Sequence, residues 1–241
     1  MNLIIDIGNS RSKLVAFSDG DVADESTSEG HALEHLAAFS ARHGFEAAIV
    51  STVVGLPSDA EAALAALPCP VVHFTPETPV PIVNRYHTPA TLGRDRLAAA
   101  VWAAQARPDS PSLVIDMGSC ITCDLVCDRA FVGGNITPGL HARLRAIDEF
   151  FPCLPHVDDS GDLPELGYDT PTAIRSGIIR GIVYEIQGYI SHYRDRHPTL
   201  HVFATGGDSH ILQPAQDTIT IDPYIVARGL NAILRHNLHS L

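Results

Sequence analysis

Short, nearly continuous apolar runs and longer stretches with a three-to-four residue rhythm alternate along this chain. Residues 2–7 (NLIIDI) and 13–18 (KLVAFS) have strand length and strand composition, and the small polar residues between them predict a tight turn. Asp19-Gly20-Asp21 predicts a second turn, into a short third strand. A polar stretch over 24–30 then leads to a helix over 31–43, where Leu36 and Phe39 supply the apolar face. Strands are predicted over 47–53 and 71–74, with an alanine-rich helix over 58–67 between them. Residues 75–89 are rich in proline and read as irregular. A helix over 92–106 ends before Pro108, and 108–112 is the natural junction between halves.

The second half repeats the order. Residues 113–126 predict a strand, a turn and a return strand. Gly133–Gly139 precedes a helix, 152–170 shows little periodicity, and a long helix covers 171–193. A strand over 202–204 runs into Thr205-Gly206-Gly207, and a helix over 223–237 closes the chain. Gly177, Gly181 and Gly188 interrupt the long helix at about 1 kcal/mol each relative to alanine. They suggest close packing of another helix, including one from a second subunit.

The most informative feature is a near-repeat. LIIDIGNSRSKLVAF (Leu3–Phe17) and LVIDMGSCITCDLV (Leu113–Val126) share an apolar strand, Asp-x-Gly, small polar residues and a second strand. Their aspartates, Asp6 and Asp116, stand 110 residues apart. Gly8 admits positive φ and close approach of a ligand. Backbone N–H groups in such a turn can form an anion-binding nest. Asp6 at the strand end can hold hydrated Mg²⁺, and Lys13 adds a point charge for phosphate oxygens. The motif differs from the Walker A loop, whose spacing is absent. Two such hairpins predict a duplicated α/β domain, and the mixed-sheet pattern made twice resembles the actin, hexokinase and Hsp70 architecture (ribonuclease H-like). Two mixed-sheet halves, 1–110 and 111–241, would have nucleotide in the cleft between them.

Composition narrows the function. The chain has 241 residues, 45% hydrophobic and 18% charged, enough for a substantial core. A net charge of −12 with no basic run argues against a nucleic-acid surface. No apolar run has the length of a membrane span, and the expected location is the cytoplasm. Five cysteines, an odd number, are read as reduced thiols. Cys120, Cys123 and Cys127 fit a turn and one strand face better than a zinc site, for want of a fourth ligand. His31-Ala32-Leu33-Glu34-His35 matches the H-x-x-E-H zinc-protease pattern, but its spacing is better explained by the predicted surface helix.

Gly93-Arg94-Asp95-Arg96 opens the helix that follows the proline-rich segment. Asp95 suits a first helical turn. It also suits a general base, beside two arginines able to bind an acidic substrate through bidentate pairing. At this point the chain resembles the type III pantothenate kinases, the CoaX family. The family's D-x-G-N-T-x-x-K stands here as Asp6-Ile7-Gly8-Asn9-Ser10-Arg11-Ser12-Lys13, and its Y-x-x-P-x-x-L-G-x-D-R runs from Tyr86 to Arg96. Its D-x-G-T-A-x-T covers Asp116–Thr122. G-G-x-I-x-P-G covers Gly133–Gly139, N-T-x-x-A-x-x-S-G covers Asp169–Gly177, and T-G-G covers Thr205–Gly207. The matches run in order over essentially the whole chain.

The resemblance implies ATP-dependent phosphorylation of the primary hydroxyl of pantothenate, the first step of coenzyme A synthesis. It implies Mg²⁺, a monovalent cation (K⁺ or NH₄⁺) and a homodimer. By position, Asp6–Lys13 and Ser119 would bind ATP, and Asp95 would accept the proton. Tyr86, Gly93, Arg94, Asp95, Arg96 and Thr170 would contact pantothenate, and Asp116 would hold the monovalent cation. Ser10 and Ser119 replace threonines, Cys120 an alanine and Asp169 an asparagine. The competing readings are a kinase of another small acceptor, such as a sugar, and a non-catalytic regulator built on the same fold.

Overall fold

Strand β1 (Asn2–Ile7) lies at the centre of a five-stranded sheet, which explains why it is apolar nearly throughout. The computed structural model describes residues 1–53, 55–56 and 58–238, with the backbone alone at 58–59 and 213–217. β2 (Arg11–Ser18) and β3 (Asp21–Glu29) add an antiparallel meander on one side of β1. β4 (Ala47–Thr52) and β5 (Val71–His73) add parallel strands on the other, giving the order β3-β2-β1-β4-β5. Leu3, Ile5, Ile7, Leu14 and Val50 pack with Leu36, Phe39 and Leu64 from α1 (Leu36–Ser40) and α2 (Ser58–Ala65). Each such side chain removed from water contributes about 1.5–3 kcal/mol.

Two local expectations are corrected. The short third strand runs on through most of the polar stretch at 24–30. This strand, β3, is nine residues long, and exposed and half-buried positions alternate strictly along it. β3 is the sheet edge, so Asp21, Asp24, Glu25 and Glu29 can stay solvated and discourage pairing with other chains. The helix predicted over 31–43 is five residues long, and His31 falls in the loop before it.

The chain divides into two compact units. The first comprises Met1–Pro108, Arg129–Val132 and Tyr224–Leu241; the second comprises Asp109–Asp128 and Gly133–Pro223. Arg129–Val132 and the segment from Tyr224 onward thus group with the first unit, across the expected boundary at 110/111, and residues 239–241 lie outside the described ones. The first unit also contains β6 (Val83–Asn84) and α3 (Arg94–Ala106). α3 is alanine-rich and buried over most of its surface, and it packs against the closing helix, named α6 below (Ile225–Leu238). Gly229 of that helix rests on the Ala98 carbonyl, where any Cβ would collide. Asn231 accepts a hydrogen bond from Asn2 of β1, 2.8 Å. Helix spacing predicted α6 itself, but its partner follows from this small-residue contact.

The second unit is built on β7 (Ser112–Met117), β8 (Cys120–Cys127) and β9 (Ala130–Pro138). The first residues of β9 fall in the first unit, where Ala130 and Phe131 pair in parallel with β6. α4 (Leu140–Phe150) and α5 (Thr170–Arg196) follow, then β10 (His201–Thr205) and β11 (Thr220–Ile221), giving β11-β10-β7-β8-β9. β7 is antiparallel to β8 and parallel to β10. Ile179, Ile182, Ile186 and Ile190 of α5 pack on Leu113, Ile115 and Met117. Asp169 caps α5 by accepting the Thr172 N–H at 2.9 Å, and the Thr172 hydroxyl completes a capping box. The Asn-to-Asp departure at 169 therefore keeps the cap. Each unit is a mixed sheet opened by an Asp-x-Gly hairpin, as the repeat predicts.

Candidate active site

The first hairpin places Asp6 directly opposite Lys13, and Ile7 opposite Ser12. Residues opposed in this way share a sheet face. The Gly8 N–H donates to the Arg11 carbonyl at 2.9 Å and closes the turn, leaving Asn9, Ser10 and Arg11 exposed. The Lys13 ammonium lies 3.3 Å from a Glu25 carboxylate oxygen and 4.5 Å from the centre of the Tyr224 ring. Glu25 and Tyr224 were not legible as site residues. Glu25 lies on the polar edge strand, and Tyr224 is more than 200 positions from Lys13 in sequence.

The Asp6 carboxyl is pushed up to about 7. Burial is the main cause and the nearby Asp95 carboxylate the second, with Lys13 pulling the other way. The first hairpin and Asp95 thus belong to one electrostatic cluster. Two neighbouring carboxylates favour a cation, so the donor set fits hydrated Mg²⁺ beside Asp6.

Asp95 occupies the first turn of α3, where its Oδ1 accepts the Arg96 N–H at 2.8 Å. That bond satisfies one donor left open at the helix start and fixes the carboxylate. Gly93 makes room for it: a Cβ there would sit 2.5 Å from Asp95 Oδ1. The two arginines are held differently. Arg94 donates to the Leu92 and Ala90 carbonyls, at 2.8 and 3.3 Å. Arg96 is buried, with its guanidinium 5.8 Å from the Tyr86 ring centre and 5.7 Å from that of Phe131. The two guanidinium groups thus have different surroundings, loop carbonyls for Arg94 and aromatic rings for Arg96. Tyr86 and Arg96 are in contact, and Phe131 is a further residue that sequence reasoning did not select.

The second hairpin is one residue tighter. Asp116 faces Thr122, and the Gly118 N–H donates to the Cys120 carbonyl at 2.9 Å. The position that carries Lys13 in the first hairpin brings no charge here. Gly206 has φ +92°, and a Cβ on it would meet the Met117 carbonyl and stand 2.6 Å from Asp116 Oδ1. Gly139 donates its N–H to the Ser119 carbonyl at 3.1 Å and presses on the Gly118 backbone. Three motifs of the second unit therefore converge around Asp116 and exposed Ser119. Thr170 is exposed at the first position of α5.

Among the described residues no group of three or more His, Cys, Asp or Glu side chains is placed to hold a metal ion. Cys123 faces the core, and burial, then Asp124 and Glu185, push its thiol up to about 12. Among those residues no helix is long and apolar enough to cross a membrane.

The family model of the type III pantothenate kinases matches residues 2–192. A type III pantothenate kinase of Phocaeicola vulgatus is 42% identical over 239 residues, covering 98% of this chain and 99% of that protein. The chain belongs to the type III pantothenate kinases. Among solved structures, this kinase is similar to a conserved Campylobacter jejuni protein described as a candidate Baf family transcriptional activator. The TM-score is 0.64, with 21% identity and coverage of 98% and 99% of the two chains. It is also similar to a ROK family glucokinase of Streptomyces griseus, with TM-score 0.53, 11% identity and coverage of 98% and 99%. These likenesses establish the duplicated actin-like fold of the kinase.

Proposed function

We propose that Asp95 is the base in the reaction of this chain, and that Asp6–Lys13 and Ser119 hold the ATP phosphates. The reaction is ATP-dependent phosphorylation of pantothenate, the first step of coenzyme A biosynthesis. The observation that supports the residue assignment is that the Asp95 carboxylate raises the Asp6 carboxyl, the two residues lying in one unit. Phosphoryl transfer depends on alignment and charge neutralisation more than on covalent help from the protein. Lys13 and the backbone N–H groups of the first turn supply positive potential to the phosphates. Mg²⁺, when bound beside Asp6, neutralises phosphate charge. Asp95 accepts the proton of the primary hydroxyl as its oxygen bonds to the γ-phosphorus and ADP leaves. Oδ1 is held by the Arg96 N–H, so Oδ2 is the atom assigned to that proton.

Tyr86, Gly93, Arg94, Arg96 and Thr170 are assigned to pantothenate. The Tyr86–Arg96 contact supports the first and fourth of these, since Arg96 follows Asp95 directly in the first turn of α3. Asp116 is assigned to a monovalent cation, which suits a carboxylate whose cross-strand partner is Thr122 rather than a lysine. The cytoplasm, where ATP and reduced thiols coexist, is the proposed location. Purified protein with Mg-ATP should release ADP only when pantothenate is added, and faster in K⁺ than in Na⁺. Equal rates in both salts would remove the cation assignment. Nucleotide binding without pantothenate-dependent turnover would favour the regulator reading.

We further propose a homodimer formed through α5. Gly177, Gly181, Tyr184 and Gly188 fall at i, i+4, i+7 and i+11, on one face of the helix. Open space lies where each glycine's Cβ would be, Tyr184 is 57% exposed, and Leu166 in the preceding loop is 84% exposed. A second copy of the helix could approach closely there. Sedimentation should give twice the 25.9 kDa chain mass, and Tyr184→Glu should shift it to the single-chain value. A wild-type protein that sediments as one chain at micromolar concentration contradicts the dimer.

A further inference from the structure

The H-x-x-E-H segment is not a helix face, and its first histidine has a different setting. His31 lies in the loop between β3 and α1, and its Nε2 is 2.8 Å from the carbonyl oxygen of Asn9 in the first phosphate turn. Its neighbour Gly30, at φ +74°, donates its N–H to the next carbonyl of that turn, Ser10, at 2.9 Å. The Ser12 hydroxyl completes the seam, donating to the Ala32 carbonyl at 3.0 Å. Three successive residues, Gly30, His31 and Ala32, thus bond to Ser10, Asn9 and Ser12 of the first hairpin.

This grip has a geometric consequence. A trans peptide unit is planar, with its C=O and N–H pointing in opposite directions, and the described chain contains no cis peptide. Holding the Asn9 carbonyl against His31 therefore aims the Ser10 N–H away from His31. Holding the Ser10 carbonyl against Gly30 does the same for the Arg11 N–H. A phosphate nest uses backbone N–H groups of this kind, and it works best when they are oriented before the anion arrives.

We propose that His31 is a positioning residue for ATP: its imidazole N–H holds the Asn9 carbonyl and so fixes the first turn in its phosphate-binding conformation. The proposal rests on the assignment of Asp6–Lys13 to the ATP phosphates. The neutral Nε2–H tautomer and the imidazolium both donate from this atom, so the test removes the donor rather than changing pH. In His31→Ala the KM for ATP should rise about three- to tenfold, the size of one hydrogen bond. The KM for pantothenate and kcat should stay within about twofold by the same reasoning, and Tm should hold. His31→Gln, whose amide N–H can reach the same carbonyl, should recover most of the ATP affinity. An unchanged KM for ATP in His31→Ala overturns the proposal. So does a uniform loss in both substrates with a lower Tm, or a glutamine variant as impaired as the alanine one. Lys13→Ala separates the two levels: if that variant also leaves the KM for ATP unmoved, the hairpin assignment itself fails.

Discussion

Asp95→Asn should lower kcat by about 10²–10⁴-fold, the usual contribution of a positioned base, while the protein folds normally. Asparagine has the shape of aspartate, and its oxygen can still accept the Arg96 N–H now bonded to Asp95 Oδ1. Losing the negative charge in the first turn of α3 costs roughly 0.3–1 kcal/mol of helix-dipole stabilisation. Relief of the repulsion on Asp6 opposes that cost, so Tm should change little. Gly93→Ala reaches the same carboxylate from the other side. Its new methyl would lie 2.5 Å from Asp95 Oδ1, and the short side chain must move. A smaller fall in kcat, on the order of tenfold or more, should follow, since displacement by an ångström commonly costs that much. Steady-state kinetics and thermal melts on both variants check these outcomes. An Asp95→Asn enzyme with kcat within threefold of wild type removes Asp95 from the chemistry.

Asp6→Asn should nearly abolish turnover and yet stabilise the ligand-free protein above neutral pH. The Asp6 carboxyl is raised from 3.8 to about 7 in the fold. Between those values the folded chain keeps a proton that the unfolded chain has released. Stability therefore falls as pH rises through this window, the reverse of the behaviour of a salt-bridged carboxylate. By pH 8 the ionised Asp6 costs on the order of 2–4 kcal/mol. An amide removes that cost, so apo Asp6→Asn should melt higher than wild type at pH 8, and the gap should close toward pH 4. The same proton competes with a cation, so Mg-ATP affinity in the wild type should weaken as pH drops below about 7. Melting curves from pH 4 to 8 and nucleotide titrations at pH 6 and 8 test both halves. A variant that melts lower than wild type at pH 8 contradicts the account of Asp6.

The features that sequence displayed well are local ones. Asp-x-Gly flanked by strand-length apolar runs predicts a hairpin wherever it occurs, so both hairpins and their duplication were legible from Asp6, Gly8, Asp116 and Gly118. The start of α3 was legible because Asp95 is the acidic residue that a first helical turn favours. The misses concern partners that sequence distance conceals. Gly229 against Ala98 returns α6 to the first unit, and nothing near residue 229 announces it. A short third strand was legible after Asp19-Gly20-Asp21, but its full length was hidden because an edge strand needs little apolar surface, and its alternation is written in Asp, Glu, Ser and Thr. The different surroundings of Arg94 and Arg96 were not legible either: two residues apart on a helix, they project in different directions, one to loop carbonyls and the other to aromatic rings. His31 was assigned to a helix because its spacing to Leu36 and Phe39 fits one. The chain instead uses Gly30 to turn and brings the imidazole to the Asn9 carbonyl.

The central claim is that one site, joined through Asp6 and Asp95, moves phosphate from ATP to pantothenate. Its most direct test is transfer of isotopic label from γ-labelled ATP, resolved by product, with wild type and Asp95→Asn run side by side. The account predicts labelled 4′-phosphopantothenate from the wild type and loss of nearly all of it in a variant that melts at the same temperature. Label released only as inorganic phosphate, or equal transfer by both proteins, would contradict it.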